Sequence, residues 1–141
     1  MGQKVNPIGL RVGISKTWNS KWFAGKDYPE QLKQDLSIQK FVKQRLKHAA
    51  ISHIEVERTA KKTKVNIFTA RPGIIIGRKG DEVERLKHEL NKLTRHEVVV
   101  NIKEIKRPEI EATLVAENIA NQLERRIAYR RAIRRAMTSA M

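Results

Sequence analysis

The chain has 141 residues, enough for one ordinary domain with a small appendage, and its hydrophobic fraction of 40% is sufficient to close a core. Thirty Lys and Arg against fifteen Asp and Glu leave a formal charge of +15, which favours nucleic acid as the partner over an anionic membrane. The sequence contains no cysteine, which excludes disulfides and thiolate zinc sites. It also has no signal-peptide core and no apolar run near the roughly 18 residues of a membrane span, so a membrane protein is excluded and a cytoplasmic protein is expected.

Residues 1–28 are basic, contain several glycines and show no sustained periodicity, which predicts an extended arm that becomes ordered on a partner. The aromatic residues of this stretch are Trp18, Trp22 and Phe23. Two roles are open for them: clamping the arm onto the domain, which we favour, or stacking on nucleic-acid bases.

The next part of the chain predicts an alternation of helices and strands. Apolar positions at helical spacing from Asp35 predict an amphipathic helix with a basic outer face. Alternating apolar residues predict strands around 54–56, 65–69 and 98–102, with residues 59–63 joining the first two. Between the second and third strands, an isoleucine run predicts a short helix. A longer helix is predicted to follow it, with an apolar stripe formed by Val83, Leu86, Leu90 and Leu93.

A further helix is predicted to begin at Glu109, after Pro108. Its apolar stripe consists of Ala112, Val115, Ala116, Ile119, Ala120, Leu123 and Ile127. An unbroken helix would bring Arg130, Arg131 and Arg134 onto that stripe, and burying three unpaired guanidinium groups is prohibitive. Because a new stripe starts at Tyr129, we predict a kink at 125–128 that turns these arginines to the opposite side.

Residues 77–80, Gly-Arg-Lys-Gly, are predicted to form a loop between two helices. Pro72 can start the first helix and Gly77 can end it, and Asp81 can cap the next helix with Glu84 completing a capping box. The loop is either only a tight turn or a binding site in which a bare backbone approaches a sugar-phosphate chain while Arg78 and Lys79 neutralise phosphates. In this context G-x-x-G matches the loop with which KH domains grip about four nucleotides.

Four stretches of the sequence make a family resemblance specific. They are residues 2–11 (GQKVNPIGLR), 18–24 (WNSKWFA), 70–80 (ARPGIIIGRKG), and 122–126 (QLERR) with 130–134 (RRAIR). Over its whole length the chain resembles the family of bacterial-type small-subunit ribosomal protein three, the KH-domain proteins of the small-subunit head.

The resemblance implies an α/β fold. Residues 29–107 would form a type II KH domain with a three-stranded sheet and helices packed on one face, preceded by the arm 1–28. Residues 108–141 would be helices at the start of a second α/β domain, so the resemblance implies a chain truncated before most of that domain.

The resemblance also implies function. Family members are structural constituents of the small subunit that bind ribosomal RNA and contact neighbouring head proteins. Arginines matching Arg130, Arg131 and Arg134 touch incoming messenger RNA and help to unwind it. The predicted residues for binding ribosomal RNA are Lys4, Arg11, Gly77, Arg78, Lys79 and Gly80. A cytoplasmic ribosome is expected, and an organellar one also fits.

Two other classes of function fit the sequence less well. An enzyme is disfavoured because Gly73 to Gly80 lacks the G-K-[ST] ending of a P-loop and the His88-Glu89 pair lacks the second histidine of a zinc helix. No catalytic residue, metal, cofactor or small-molecule substrate is therefore predicted. The alternative within RNA binding is a free KH-type regulator or assembly factor that recognises single-stranded RNA outside the ribosome.

Overall fold

A computed structural model describes residues 2–59, 62–94 and 96–141 of the chain, with the side chain of Lys79 outside the description. The predicted connection at 59–63 therefore lies partly outside the described residues. The helices and strands, in chain order, are α1 (Pro7–Arg11), β1 (Ser20–Lys21), α2 (Tyr28–Arg45), β2 (Ile51–Arg58), β3 (Lys62–Thr69), α3 (Pro72–Ile76), α4 (Asp81–Leu93), β4 (Glu97–Glu104), α5 (Ala112–Glu124) and α6 (Tyr129–Ala140). The predicted order of helices and strands from α2 to β4 is confirmed.

The sheet has the strand order β1-β2-β3-β4. Strands β2 and β3 are antiparallel, whereas β4 runs parallel to β3 with Val65 opposite Val100. Parallel neighbours need a crossover connection, and α3 and α4 supply it. The three strands of eight residues are the predicted ones; the fourth, β1, is a correction to the expected three-stranded sheet. Two residues carry no periodicity, so β1 left no signal in the sequence.

The hydrophobic core lies between one face of the sheet and the helices α2, α3 and α4. Ile67 and Val98 from the sheet meet Val42 from α2, Ile75 from α3 and Leu90 from α4, and all five are fully buried. Each such side chain contributes on the order of 1.5–3 kcal/mol by leaving water. Helix α2 begins at Tyr28, about two turns before Asp35, where the predicted pattern starts, and Pro29 in its first turn favours a helix beginning there.

The other face of the sheet is polar. Asn66 donates to the Glu57 carboxylate (2.8 Å) and accepts from the Asn101 amide (3.1 Å), which links three strands. The His53 and Phe68 rings stack with centroids 4.1 Å apart. Burial lowers the pKa of His53, so its ring is a neutral stacking partner at pH 7.

The predicted break between α5 and α6 is confirmed. Helix α5 ends at Glu124, Arg126 has a left-handed φ of 60°, and the Ile127 amide donates to the Gln122 carbonyl at 3.0 Å, which closes the turn without glycine. The predicted start at Glu109 is wrong, since residues 108–111 form a turn and the helix begins at Ala112.

The predicted apolar stripe of α5 is only partly buried. Leu114, which is outside that stripe, is the buried residue, while Ala112, Ala116 and Ala120 are exposed. The stripe pattern is real, but α5 contacts little of the described chain beyond α6 and β2. Periodicity therefore predicted an apolar face that the described chain leaves largely exposed, and it missed the side of the helix on which Leu114 is buried.

Residues 2–28 contain more regular structure than the predicted extended arm. Asn6 accepts from the amides of Ile8 and Gly9 and caps α1. Trp22 donates from Nε1 to the buried carboxylate of Asp35 (2.6 Å), so it clamps the arm onto α2 as favoured. Phe23 is fully exposed and Trp18 is 66% exposed; neither contributes to that clamp.

Candidate nucleic-acid interface

The loop at residues 77–80 joins α3 to α4, as predicted. Gly77 has φ 68° and ψ −169°, a conformation that essentially only glycine adopts, and Gly80 has φ 88°. A short 3₁₀ turn spans Arg78–Gly80. Asp81 does not cap α4, which corrects the expected capping box: Gly80 is the N-cap residue, and Asp81 is the first residue of the helix.

Helix α3 and the loop present a mixed basic and apolar surface. Ile75 is fully buried and anchors α3, whereas Ile74 and Ile76 are 46% and 43% exposed beside the loop. Arg78 is exposed, as required for contact with a phosphate. The prediction for the side chain of Lys79 lies outside the described residues.

Acidic residues follow the loop immediately. Asp81, Glu82 and Glu84 all lie in the first turn of α4, where they are stabilised by the helix dipole. Glu82 Oε2 lies 3.7 Å from Arg45 Nη2, so the carboxylate is ion-paired with the end of α2. The base of the loop is thereby connected to α2.

The two arm residues predicted to bind RNA, Lys4 and Arg11, are both exposed; Lys4 precedes α1, and Arg11 is its last residue. Arg11 Nη1 lies 3.4 Å from the Pro7 carbonyl, a weak contact that leaves most of the guanidinium free to bind other groups. Their charges therefore face solvent.

Helix α6 carries a separate basic surface. Arg130, Arg131 and Arg134 are exposed, while Ala132 on the opposite side is fully buried, so the predicted facing of the arginines is confirmed. An open groove of about 660 Å³ is lined by Ala128, Arg130, Arg131, Arg134, Arg135 and Thr138. Arg135 and Thr138 were not among the predicted site residues, although their spacing of four from Arg131 and Arg134 was a usable signal.

The arginines of this groove have no carboxylate within ion-pairing distance in the described parts of the chain. Arg130 is oriented by its neighbour: its Nε donates to the Tyr129 hydroxyl (3.1 Å), and its guanidinium carbon lies 5.7 Å from the ring centroid. Such unneutralised guanidinium groups can hold phosphates and also stack on bases.

Comparison with known proteins identifies the family. The KH domain model matches residues 37–110. The chain is 61% identical over all 141 residues to Small ribosomal subunit protein uS3 of a Geobacter species, spanning 67% of that protein, and equally so to that of Geotalea uraniireducens. The chain belongs to the uS3 family. The identity to the uS3 protein of Syntrophus aciditrophicus is 57%, and the chain spans 65% of it.

Membership of the uS3 family confirms the predicted resemblance, the KH domain and the α/β class. The family name also supports a structural role in the small ribosomal subunit. The KH match includes the loop and the second half of α2, but neither the arm nor α6, so those basic surfaces lie outside it.

Among the described residues, no group of three or more His, Asp or Glu side chains is arranged to hold a metal ion. None of the helices described is long and apolar enough to cross a bilayer.

Proposed function

We propose that this chain binds small-subunit ribosomal RNA through its arm and KH loop and contacts messenger RNA through α6. The observation that carries the messenger contact is the groove of α6, where four exposed arginines have no carboxylate partner within the described residues. A formal charge of +15 supplies the long-range attraction to RNA.

The spacing of the arginines suits a single strand. Arg130 and Arg134 are one helical turn apart, and Arg131 lies between them on the same exposed side. A row of guanidinium groups can hold successive phosphates and stack on unpaired bases, which disfavours re-pairing of the strand. The buried Ala132 lies on the other side of α6, which packs on α5, so that packing leaves the arginines accessible to RNA.

Ribosomal RNA would be bound by the surfaces that contain Lys4 and Arg11 in the arm and Gly77, Arg78, Lys79 and Gly80 in the loop. The proposed division of the chain follows these surfaces, with the arm at 1–28, the KH domain at 29–107 and the helical part at 108–141. Trp22 holds the end of the arm to α2, which leaves Lys4 and Arg11 free to reach RNA.

Neighbouring proteins of the small-subunit head are the third class of proposed partner. The arm carries four apolar side chains that are exposed to solvent and do not pack in the core, namely Val5, Ile8, Leu10 and Ile14. Covering them would remove apolar surface from water, which is the main source of affinity between proteins.

The messenger contact is tested by changing Arg130, Arg131 and Arg134 to Ala in assembled ribosomes. Translation of unstructured messages should stay near normal, whereas translocation through a stable hairpin should slow about tenfold, because three phosphate-binding and base-stacking groups are lost. The measurement compares translocation on hairpin and hairpin-free templates.

Arg125→Ala, also exposed and basic but outside the groove, is the matched control and should behave as the wild type. Equal slowing on both templates would assign the row to assembly or general RNA binding. No slowing on either template would reject the messenger contact.

A further inference from the structure

The two glycines of the loop differ in what lies beside them. A Cβ atom at Gly77 would lie 2.8 Å from Glu82 Cγ and 3.0 Å from Glu82 Cβ, whereas a Cβ at Gly80 would meet nothing within 4 Å. Glycine in a nucleic-acid-binding loop normally leaves room for close approach of the ligand. At Gly77 that room is filled by a side chain of the protein itself.

The side chain that fills it is anionic. The Glu82 carboxylate lies between two cations, with Arg45 Nη2 and Arg85 Nη1 each 3.7 Å away. All three side chains are at least 40% exposed, so water screens the pairs, and they orient Glu82 more than they neutralise it. Glu82 therefore places the stem of an anionic side chain beside Gly77.

The same helix turn weakens another source of anion binding. A helix N-terminus attracts phosphate through its free N–H groups and its dipole. In α4 this end already carries Asp81, Glu82 and Glu84, which repel a phosphate arriving there. Attraction on this side of the loop is thus opposed both by charge and by occupied space.

We propose that Glu82 is a specificity-determining residue that closes the Gly77 side of the loop to phosphate. RNA can then reach the loop only from the side of Arg78 and Gly80. A free single strand gripped in the usual KH manner needs the backbone of the whole loop and is rejected. A folded ribosomal RNA can still bind, because its other contacts with the protein can hold it on the side of Arg78 and Gly80. This inference rests on the proposed function.

The test measures binding of a fluorescein-labelled, uridine-rich RNA of about twelve nucleotides to the 141-residue chain by fluorescence anisotropy. Glu82→Gln removes the charge and keeps the side-chain shape, so the fold and the Gly77 contact are preserved. Glu84→Gln is the matched control because it removes the same charge from the same helix turn, at an exposed position.

Glu82→Gln should tighten binding about fivefold more than Glu84→Gln does, as expected for one like charge close to a phosphate. In the Arg78→Ala background this gain should fall below about twofold, because the strand then lacks its contact at the loop. Equal gains for the two Gln variants, or a gain that persists without Arg78, would overturn the proposal.

Failure of this inference can be told from failure of the proposed function. The second probe is a transcript of the head region of small-subunit ribosomal RNA. If the wild-type chain binds the transcript but Glu82→Gln does not increase the affinity for the single-stranded RNA, only the role of Glu82 is rejected. If the wild-type chain does not bind the transcript, the proposed function is rejected.

Discussion

Gly77 and Gly80 both have positive φ angles, 68° and 88°, but the chain requires glycine at each for a different reason. Gly80 has free space around it, so only its left-handed backbone matters. At Gly77 the backbone conformation disfavours every other residue, and a Cβ atom would in addition collide with the Glu82 side chain.

We expect Gly80→Ala to lower the free energy of unfolding by about 1 kcal/mol, the strain of a left-handed Ala. Gly77→Ala should lower it by about 2–4 kcal/mol, because overpacking against Glu82 adds to the strain. Urea denaturation of both variants measures the difference. Adding Glu82→Ala to Gly77→Ala should restore part of the loss; equal destabilisation by the two glycine variants would contradict the packing argument.

Sequence analysis located this loop but not the role of Glu82. The glycines, the flanking helices and the exposed Arg78 all followed from local rules. The predicted start of α4 differs from the observed one by one residue, because Asp81 is predicted as the N-cap and is instead the first residue of the helix. One residue corresponds to about 100° around a helix, so the acidic side chain that faces Gly77 could not be identified.

The arm, α2 and β2 are joined by one buried charge. The Asp35 carboxylate is completely buried and accepts from Trp22 Nε1 (2.6 Å) and Arg58 Nε (2.8 Å). Removing one partner of a buried ion pair costs about 3–5 kcal/mol, because the other charge remains in the interior. The helical pattern read from Asp35 onwards gave no hint of this role, since a buried carboxylate depends on partners distant in sequence.

The Val56 amide reports whether the arm is docked, because it donates to the Asn19 carbonyl (2.7 Å) on the arm side of β2. Hydrogen exchange of the isolated chain should be slow at Val56 and fast at residues 2–5. Trp22→Phe removes the indole donor, costs about 1–2 kcal/mol and should speed exchange at Val56 while Ile67 stays protected.

Trp18→Phe is the control, since Trp18 is 66% exposed and takes no part in the Asp35 contacts. Fast exchange at Val56 in the unaltered chain would mean that the arm is undocked until a partner binds. In that case the arm would become ordered only on a partner, as the sequence predicts.

At the scale of the whole molecule, the basic groups proposed to bind RNA lie on three surfaces of the described chain: the arm, the KH loop and the groove of α6. The surfaces of the loop and of α6 can be read from the sequence as adjacent basic residues, whereas Lys4 and Arg11 of the arm stand seven positions apart. Whether an apolar residue is buried cannot be read from the sequence in the same way. In α5 and α6, the residues Leu123, Ile133 and Met137 have the spacing of core residues, but their side chains are 44–61% exposed. Periodicity predicts a face, whereas burial needs a second surface.

Binding through several surfaces predicts persistent association with the ribosome. A tagged chain in cell lysate should sediment with small subunits at about 0.5 M salt, because simultaneous contacts to one folded RNA outlast the screening of each. Lys4→Ala with Arg11→Ala should release the chain at lower salt. A free single-stranded RNA regulator would instead remain at the top of the gradient even at low salt.

The parallel pairing of β3 with β4 has a consequence for how the chain acquires its structure. Thr69 and Glu104 are partners in the sheet, yet the whole of α3, the loop and α4 separates them along the chain. The β2–β3 hairpin can form early because its contacts are local, whereas β4 must wait for the crossover to become compact. The loop therefore reaches its final geometry only as the core closes, and the KH surface becomes competent for RNA late in folding.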